Sequence, residues 1–173
     1  MNLTRYIRLN EKSQKTNVRL LVSGFGLQNI VPVDEVIKRI SALPIKHISK
    51  IKVIKYDPNK NISFLIRHRR VGSQLGEYLL GFNSIVVYRF KNITECFHVL
   101  FHEIGHHVYF NHISSSTKKK WVTELYRAEQ GVTRLGCRNA CEDFAEAYAL
   151  YVCQPSLLNA TPQKQEFITK IFS

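Results

Sequence analysis

The sequence predicts an α+β protein, and three observations carry that reading. Short runs at strand period fill the first half: residues 18–25 (VRLLVSGF), 51–56 (IKVIKY), 62–67 (ISFLIR) and 84–90 (SIVVYRF). Longer runs at helical period fill the second half, above all 94–110 (TECFHVLFHEIGHHVYF) and 141–152 (CEDFAEAYALYV). Strands grouped ahead of helices give α+β order rather than βαβ alternation. The third observation is size: 173 residues, 45% of them hydrophobic, suffice for one domain with its own core.

The elements follow in order. Residues 1–17 are polar and basic and read as a mobile or loosely packed start. Residues 18–93 read as the sheet-rich part and 94–173 as the helical part of a single domain, 1–173. Gly24 and Gly26 end the first strand. Pro32 opens a helix whose apolar stripe is Val33, Val36, Ile37 and Ile40; Asp34 and Glu35 at its start and Lys38 and Arg39 at its end suit the helix dipole. The run 51–56 alternates apolar and basic residues, as a half-buried strand does. Asp57 to Asn61 (DPNKN) is a turn by composition, which makes 62–67 the hairpin partner of 51–56. Residues 69–83 contain Gly72, Gly76 and Gly81 and read as a loop. Thr94 stands where a helix cap belongs. A Ser-rich loop covers 112–117, and a helix with Trp121, Leu125 and Tyr126 to bury covers 118–130. Pro155 stops the 141–152 helix, and Pro162 opens a last one with Phe167, Ile168, Ile171 and Phe172 as its apolar set.

Composition narrows the partners. No run approaches 18 uninterrupted apolar residues, so no transmembrane helix is expected. The opening MNLTRYIRLNEK lacks the apolar core of a signal peptide, and the expectation is a cytoplasmic protein, with signal-less export left open. The four Cys (Cys96, Cys137, Cys141 and Cys153) form no CxxC pair and read as free, mostly buried thiols. Twenty-five Lys and Arg against 13 Asp and Glu give a net charge of +12. That balance fits a solvated surface, and equally nucleic acid or an anionic surface as a partner.

The chemistry concentrates at His102-Glu103-Ile104-Gly105-His106. Residues four apart share a helix face, so His102 and His106 point the same way and suit one Zn²⁺. Glu103, one residue on, is placed as general base toward a metal-activated water. Phe97, Leu100, Phe101, Ile104, Val108 and Tyr109 give the segment a buried side. His107 reads as a helix-surface residue.

A catalytic zinc site takes a third protein ligand, and three residues compete. His112 completes the metzincin spacing, but Tyr109 occupies the position where that turn needs Gly, and the sole Met is Met1. Glu142 lies on a separate helix, with Glu146 four residues on along the same face. One carboxylate there can meet the metal while the other accepts from the outer N–H of a ligating His. Asp143 points about 100° away around that helix. Glu142 is the strongest of the three.

HEIGH at 102–106 and EDFAEAY at 142–148 together resemble the gluzincin clan of zinc metallopeptidases. More narrowly, they resemble the group that includes anthrax lethal factor and the bacterial Pro-Pro endopeptidases. The resemblance covers roughly 84–153, and residues 1–83 carry no such signature. It includes Asn139, three residues before the first Glu of the second motif. It implies a zincin-like fold, in which a mixed N-terminal sheet packs on the HExxH helix and a C-terminal helical part carries the third ligand. It implies His102, His106 and Glu142 as Zn²⁺ ligands, Glu103 as general base and Glu146 in support. It also implies that strand 84–90 runs along the cleft, with Ser84, Val86 and Tyr88 available to pair with an extended substrate. One position departs: where the family commonly has a Tyr oxyanion donor, seven residues before the ligand Glu, this chain has Leu135. Tyr126, Tyr148 and nearby His residues are the candidate substitutes.

The function expected is therefore zinc-dependent endopeptidase activity. Two alternatives stand beside it. One is a protease of SprT-like or ImmA/IrrE-like type acting on proteins bound to nucleic acid, which the charge favours. The other is a non-catalytic binding module of zincin fold, which Leu135 favours.

Overall fold

The first described residues form a strand where a mobile or loosely packed segment was expected. The structure, a computed structural model, describes residues 4–11, 14–58 and 75–173. Strand β1 (Arg5–Glu11) pairs antiparallel with β2 (Gln14–Ser23), Ile7 opposite Leu20. Both of these side chains are buried while Tyr6 is exposed, a two-residue alternation short enough to be hidden among the charges around it. Gly24 closes β2 with φ of +80°, and a Cβ there would lie 2.0 Å from the Tyr56 carbonyl oxygen. Only glycine fits that turn.

Helices α1 (Val33–Ser41) and α2 (Ile45–Ile48) carry the chain to β3 (Val53–Tyr56), which pairs parallel with β2. Parallel strands need such a crossover. Of its expected stripe α1 buries Val33, Val36 and Ile40 and leaves Ile37 half-buried, and its exposed face holds an Arg39–Glu35 bridge of 3.0 Å. Two further strands follow, β4 (Gly76–Leu79) and β5 (Ser84–Val87). The sheet order is β1-β2-β3-β5-β4, with β3 and β5 parallel and β4 and β5 antiparallel. A mixed sheet is therefore borne out in the α+β layout, with three differences in detail. Residues 76–79, read as loop, form β4. β3 has β2 on one side and β5 on the other, while its expected hairpin partner, 62–67, lies outside the described residues. β5 ends at Val87 and is likewise paired on both sides.

The long helix α3 (Ile93–Asn111) carries the HExxH motif. Its cap is Asn92 rather than Thr94: the Asn92 Oδ1 accepts from the Glu95 N–H at 2.8 Å, and the Glu95 carboxylate accepts from the Lys91 N–H at 2.5 Å. All six residues of its expected apolar stripe are buried. Cys96, Val99, His102, Glu103 and His107 are buried as well, so α3 is enclosed on nearly every side.

The rest is helical. α4 (Ser115–Lys120), capped by Ser114, continues through a π-helical turn (Trp121–Leu125) into α5 (Tyr126–Ala128). Next come α6 (Ala140–Cys153) and α7 (Pro162–Phe172). The Trp121 indole N–H donates to the Ala140 carbonyl at 2.9 Å and ties the π turn to the start of α6. The chain divides into two compact units, Met1–Val99 and Leu100–Ser173. Among the described residues no helix is long and apolar enough to cross a membrane.

The second unit holds a buried ion pair. Lys164 of α7 and Asp143 of α6 are both 0% exposed, with Nζ 2.8 Å from Oδ2. Lys164 also donates to the Gln130 carbonyl at 2.7 Å, and Asp143 accepts from the Val132 N–H at 2.9 Å. Burial raises the Asp143 pKa, and the hydrogen bond from Lys164 only partly offsets it. The pair therefore clamps the loop after α5 between two helices. Removing one partner strands the other charge in the core. Lys164→Met is expected to cost about 3–5 kcal/mol in urea unfolding. Adding Asp143→Asn, which keeps an acceptor for Val132, should recover part of the loss; a single-variant cost below about 1 kcal/mol would contradict the clamp.

Candidate metal centre

Gly105 lets α3 and α6 approach closely enough to share a site. A Cβ at this position would stand 2.9 Å from the Ala145 Cα, 3.1 Å from the Ala145 oxygen and 3.1 Å from the Tyr148 Cβ. Two of those three atoms are backbone and cannot rotate away. The glycine in the middle of HEIGH is thus a contact requirement, met by the small Ala145 on the other helix.

Across that contact the three leading candidates meet. His102, His106 and Glu142 each place one ligand atom within 4.8 Å of the others, the one such metal-compatible group among the described residues. Glu142 Oε2 lies 3.2 Å from His102 Nε2 and 3.6 Å from His106 Nε2. Ligands about 2.0–2.1 Å from a tetrahedral ion are about 3.3 Å apart, so these separations bracket the required edge. Two imidazole nitrogens and a carboxylate oxygen are also a suitable donor set. The group can hold a metal ion.

Supporting bonds aim the ligands. Glu146 Oε1 is 2.6 Å from His102 Nδ1, as the Glu142/Glu146 spacing anticipates. A proton on Nδ1 donated to Glu146 leaves the Nε2 lone pair facing Glu142. Asn139 caps α6: its side chain accepts from the N–H groups of Cys141 and Glu142, each at 3.0 Å, and so fixes the turn that bears Glu142. His106 has a partner the sequence reading missed, Cys141, whose Sγ lies 3.3 Å from His106 Nδ1. Burial pushes the Cys141 thiol up to about 12, with the Glu142 charge adding to it, so the sulfur stays protonated. Position alone offered the signal: Cys141 directly precedes Glu142.

Charge holds the cluster together. Burial works to lower the His102 pKa, but hydrogen bonds to Glu142 and Glu146 and the Glu103 charge outweigh it, leaving a value of about 10. Burial would raise the Glu142 pKa, but bonds from both histidines hold it well below the usual carboxylate range. Glu103 is buried on α3, and its charge is felt at both His102 and Cys141.

Other candidates stand apart from the three ligand atoms. His112 Nε2 is 3.1 Å from His107 Nε2, so His112 pairs with His107. His107, expected on the surface, is 0% exposed, because α3 is enclosed on that side too. Asp143 serves the Lys164 clamp. Tyr126 donates its hydroxyl to the Cys137 carbonyl at 3.1 Å. Tyr148 is 0% exposed, its ring packed on Phe172 at 5.0 Å, and burial raises its pKa well above the usual value. A tyrosine so enclosed does not face a substrate. Leu135 is half-buried and leads into the 3-10 turn Gly136–Arg138. Ser84 and Val86 have neighbouring strands on both sides, and the Tyr88 N–H donates to the Leu75 carbonyl at 2.8 Å. Strand addition at 84–87 therefore lacks a free edge; among the described residues β4 is the end strand on that side of the sheet. None of the four cysteines is in a disulfide; Cys96 is buried and Cys137 exposed.

No protein-family model matches this chain, and no curated protein matches its sequence.

The close contact generates a test. In an open helix, replacing Gly105 would gain up to about 1 kcal/mol of helix propensity. Here overpacking opposes that gain and costs about 1–3 kcal/mol. Gly105→Val is expected to be the less stable protein and to bind divalent metal at least about tenfold more weakly. Unchanged unfolding and unchanged metal affinity would show that the glycine is not needed for the contact.

Proposed function

We propose that the chain is a zinc metallopeptidase of gluzincin type, with His102, His106 and Glu142 as ligands and Glu103 as general base. The observation that carries the proposal is the convergence of both His Nε2 atoms on Glu142 Oε2, with Glu146 behind His102. Two histidines four apart on one helix and a glutamate from a second are a donor set suited to a catalytic zinc, which leaves one position open. Zn²⁺ held there supplies Lewis acidity toward a carbonyl oxygen and toward water. The protein's own groups do the rest. Glu103 accepts the proton of the attacking water and returns it to the departing amine. Glu146 keeps His102 oriented, and Cys141 restrains His106. The resemblance to the lethal factor and Pro-Pro endopeptidase group, and with it a zincin-like fold, belongs to the same proposal.

A specific observation favours a second reading, a zincin-like module with little or no peptidase activity. The two tyrosines best placed in sequence to stabilise an oxyanion are occupied: Tyr126 by the Cys137 carbonyl, and Tyr148 by full burial. Loss of one oxyanion donor costs about 10²–10³ in rate. The SprT-like alternative draws less support, since the His it would need as third ligand, His112, is engaged by His107.

Glu103→Gln should retain zinc and lose peptide hydrolysis by at least about 10³-fold, read with a peptide library with and without chelator. Full activity in that variant would refute the mechanism; no chelator-sensitive cleavage by the native chain would select the non-catalytic reading. The pH dependence follows from His102. Its folded pKa is raised above about 6.5, so in the metal-free protein it adds stability below that pH and loses it as pH rises through about 10. Zinc needs that nitrogen free and must displace the proton. Apparent zinc affinity should therefore rise about tenfold per pH unit between pH 7 and 9, with about one proton released on binding, measured by titration calorimetry in two buffers. A pH-independent affinity would contradict the ligand role of His102.

A further inference from the structure

Beside the metal group, on the face of α3 that carries His106, lies an exposed ring with a lysine over it. Phe110 is 43% exposed, and its ring stacks on the His106 ring at 6.5 Å and 26°. The Lys118 ammonium sits 6.0 Å from the Phe110 ring centroid and 5.3 Å from the Tyr109 centroid. Among the described residues its one polar contact is a long 3.4 Å hydrogen bond to the Phe110 carbonyl. Among the described residues it forms no ion pair, although α3 and α6 place four carboxylates in this unit. Lys119 and Lys120, exposed on α4, extend the positive surface. The ammonium is within about four residues of extended chain of His106, at roughly 3.3 Å per residue.

We propose that Phe110 and Lys118 form an anion-selecting subsite beside the metal centre, and that the peptides taken there carry an acidic side chain on the residue that lies over Phe110. The inference rests on the metallopeptidase reading and adds its substrate class. The ring supplies a flat apolar floor for the peptide, and the cation is held by that ring and by Tyr109 instead of by a carboxylate. A cation kept free of acids next to a negatively charged catalytic cluster has a use in drawing an acidic residue that Glu103, Glu142 and Glu146 would otherwise repel. The +12 net charge favours the approach of such a substrate.

The test uses zinc-loaded protein bearing Glu103→Gln, so that binding is read without cleavage. Fluorescein-labelled octapeptides that differ only by Glu or Lys at one position are scanned by anisotropy. At one position the Glu peptide should bind about tenfold more tightly, with the preference shrinking as salt rises. Adding Lys118→Met should abolish the preference, and Lys118→Glu should reverse it, with zinc content unchanged. Equal binding of every Glu and Lys pair, a preference that survives Lys118→Glu, or displacement of the Glu peptide by a single-stranded oligonucleotide at equimolar concentration would overturn the proposal. Zinc uptake without charge preference overturns this inference alone. A protein that takes up no zinc overturns the metallopeptidase reading and this inference with it.

Discussion

The site depends on how closely two helix backbones approach. Gly105 on α3 and Ala145 on α6 are the small residues at that crossing, and no side chain larger than hydrogen fits at Gly105 without displacing Ala145. Because they touch, Glu142 on one helix comes within 3.2 Å and 3.6 Å of the two histidines on the other. The glycine costs about 1 kcal/mol of helix stability relative to alanine. Burial along both helices offsets it: Leu100, Phe101, Ile104 and Val108 on α3, and Phe144, Ala145, Ala147 and Ala149 on α6, are fully buried. Packing thus provides for the geometry of a group that can hold a metal ion.

Electrostatics imposes a second constraint. α6 carries three acids in five residues, Glu142, Asp143 and Glu146, on a helix that is mostly buried. Each finds a different answer to desolvation. Glu142 and Glu146 face the histidines, and Asp143, about 100° around the helix, faces Lys164. The Asp143–Lys164 pair also fixes the loop 129–132. One short stretch of chain therefore serves the metal group with one face and anchors the second unit's fold with another. Charges buried this way are weak sources of stability but costly to leave single.

Periodicity and spacing made much of this legible. HExxH placed His102 and His106 on one face, and the i,i+4 spacing of Glu142 and Glu146 anticipated a ligand with a carboxylate behind its neighbour. Asn139 proved to be the cap of α6. What escaped the sequence depended on tertiary surroundings. Helix α3 is enclosed on nearly all sides, so His107 is buried although its neighbours gave no sign of it. β1 and β4 are short strands whose alternation is broken by charges and glycine, and pairing rather than propensity makes them strands. β5 read as a possible docking edge because a strand's sequence does not reveal its neighbours; its buried Ile85, Val86 and Val87 are what two flanking strands produce. Nothing in the sequence sets Lys164 apart from the other cations of a basic chain, and only the fold brings Asp143 to it. Cys141 carried no recognisable spacing to His106, 35 residues away.

Cys141 also makes the central claim open to a direct measurement. A thiol 3.3 Å from His106 Nδ1 is a soft ligand close to the group, and zinc would distinguish it from oxygen and nitrogen donors by distance. X-ray absorption fine structure of the zinc-loaded protein is the measurement. The first shell should contain nitrogen and oxygen only, at about 2.0–2.1 Å, with the imidazole scattering of two histidines and no sulfur. A zinc–sulfur distance of about 2.3 Å, or the scattering of a single histidine, would contradict the His102, His106 and Glu142 ligand set.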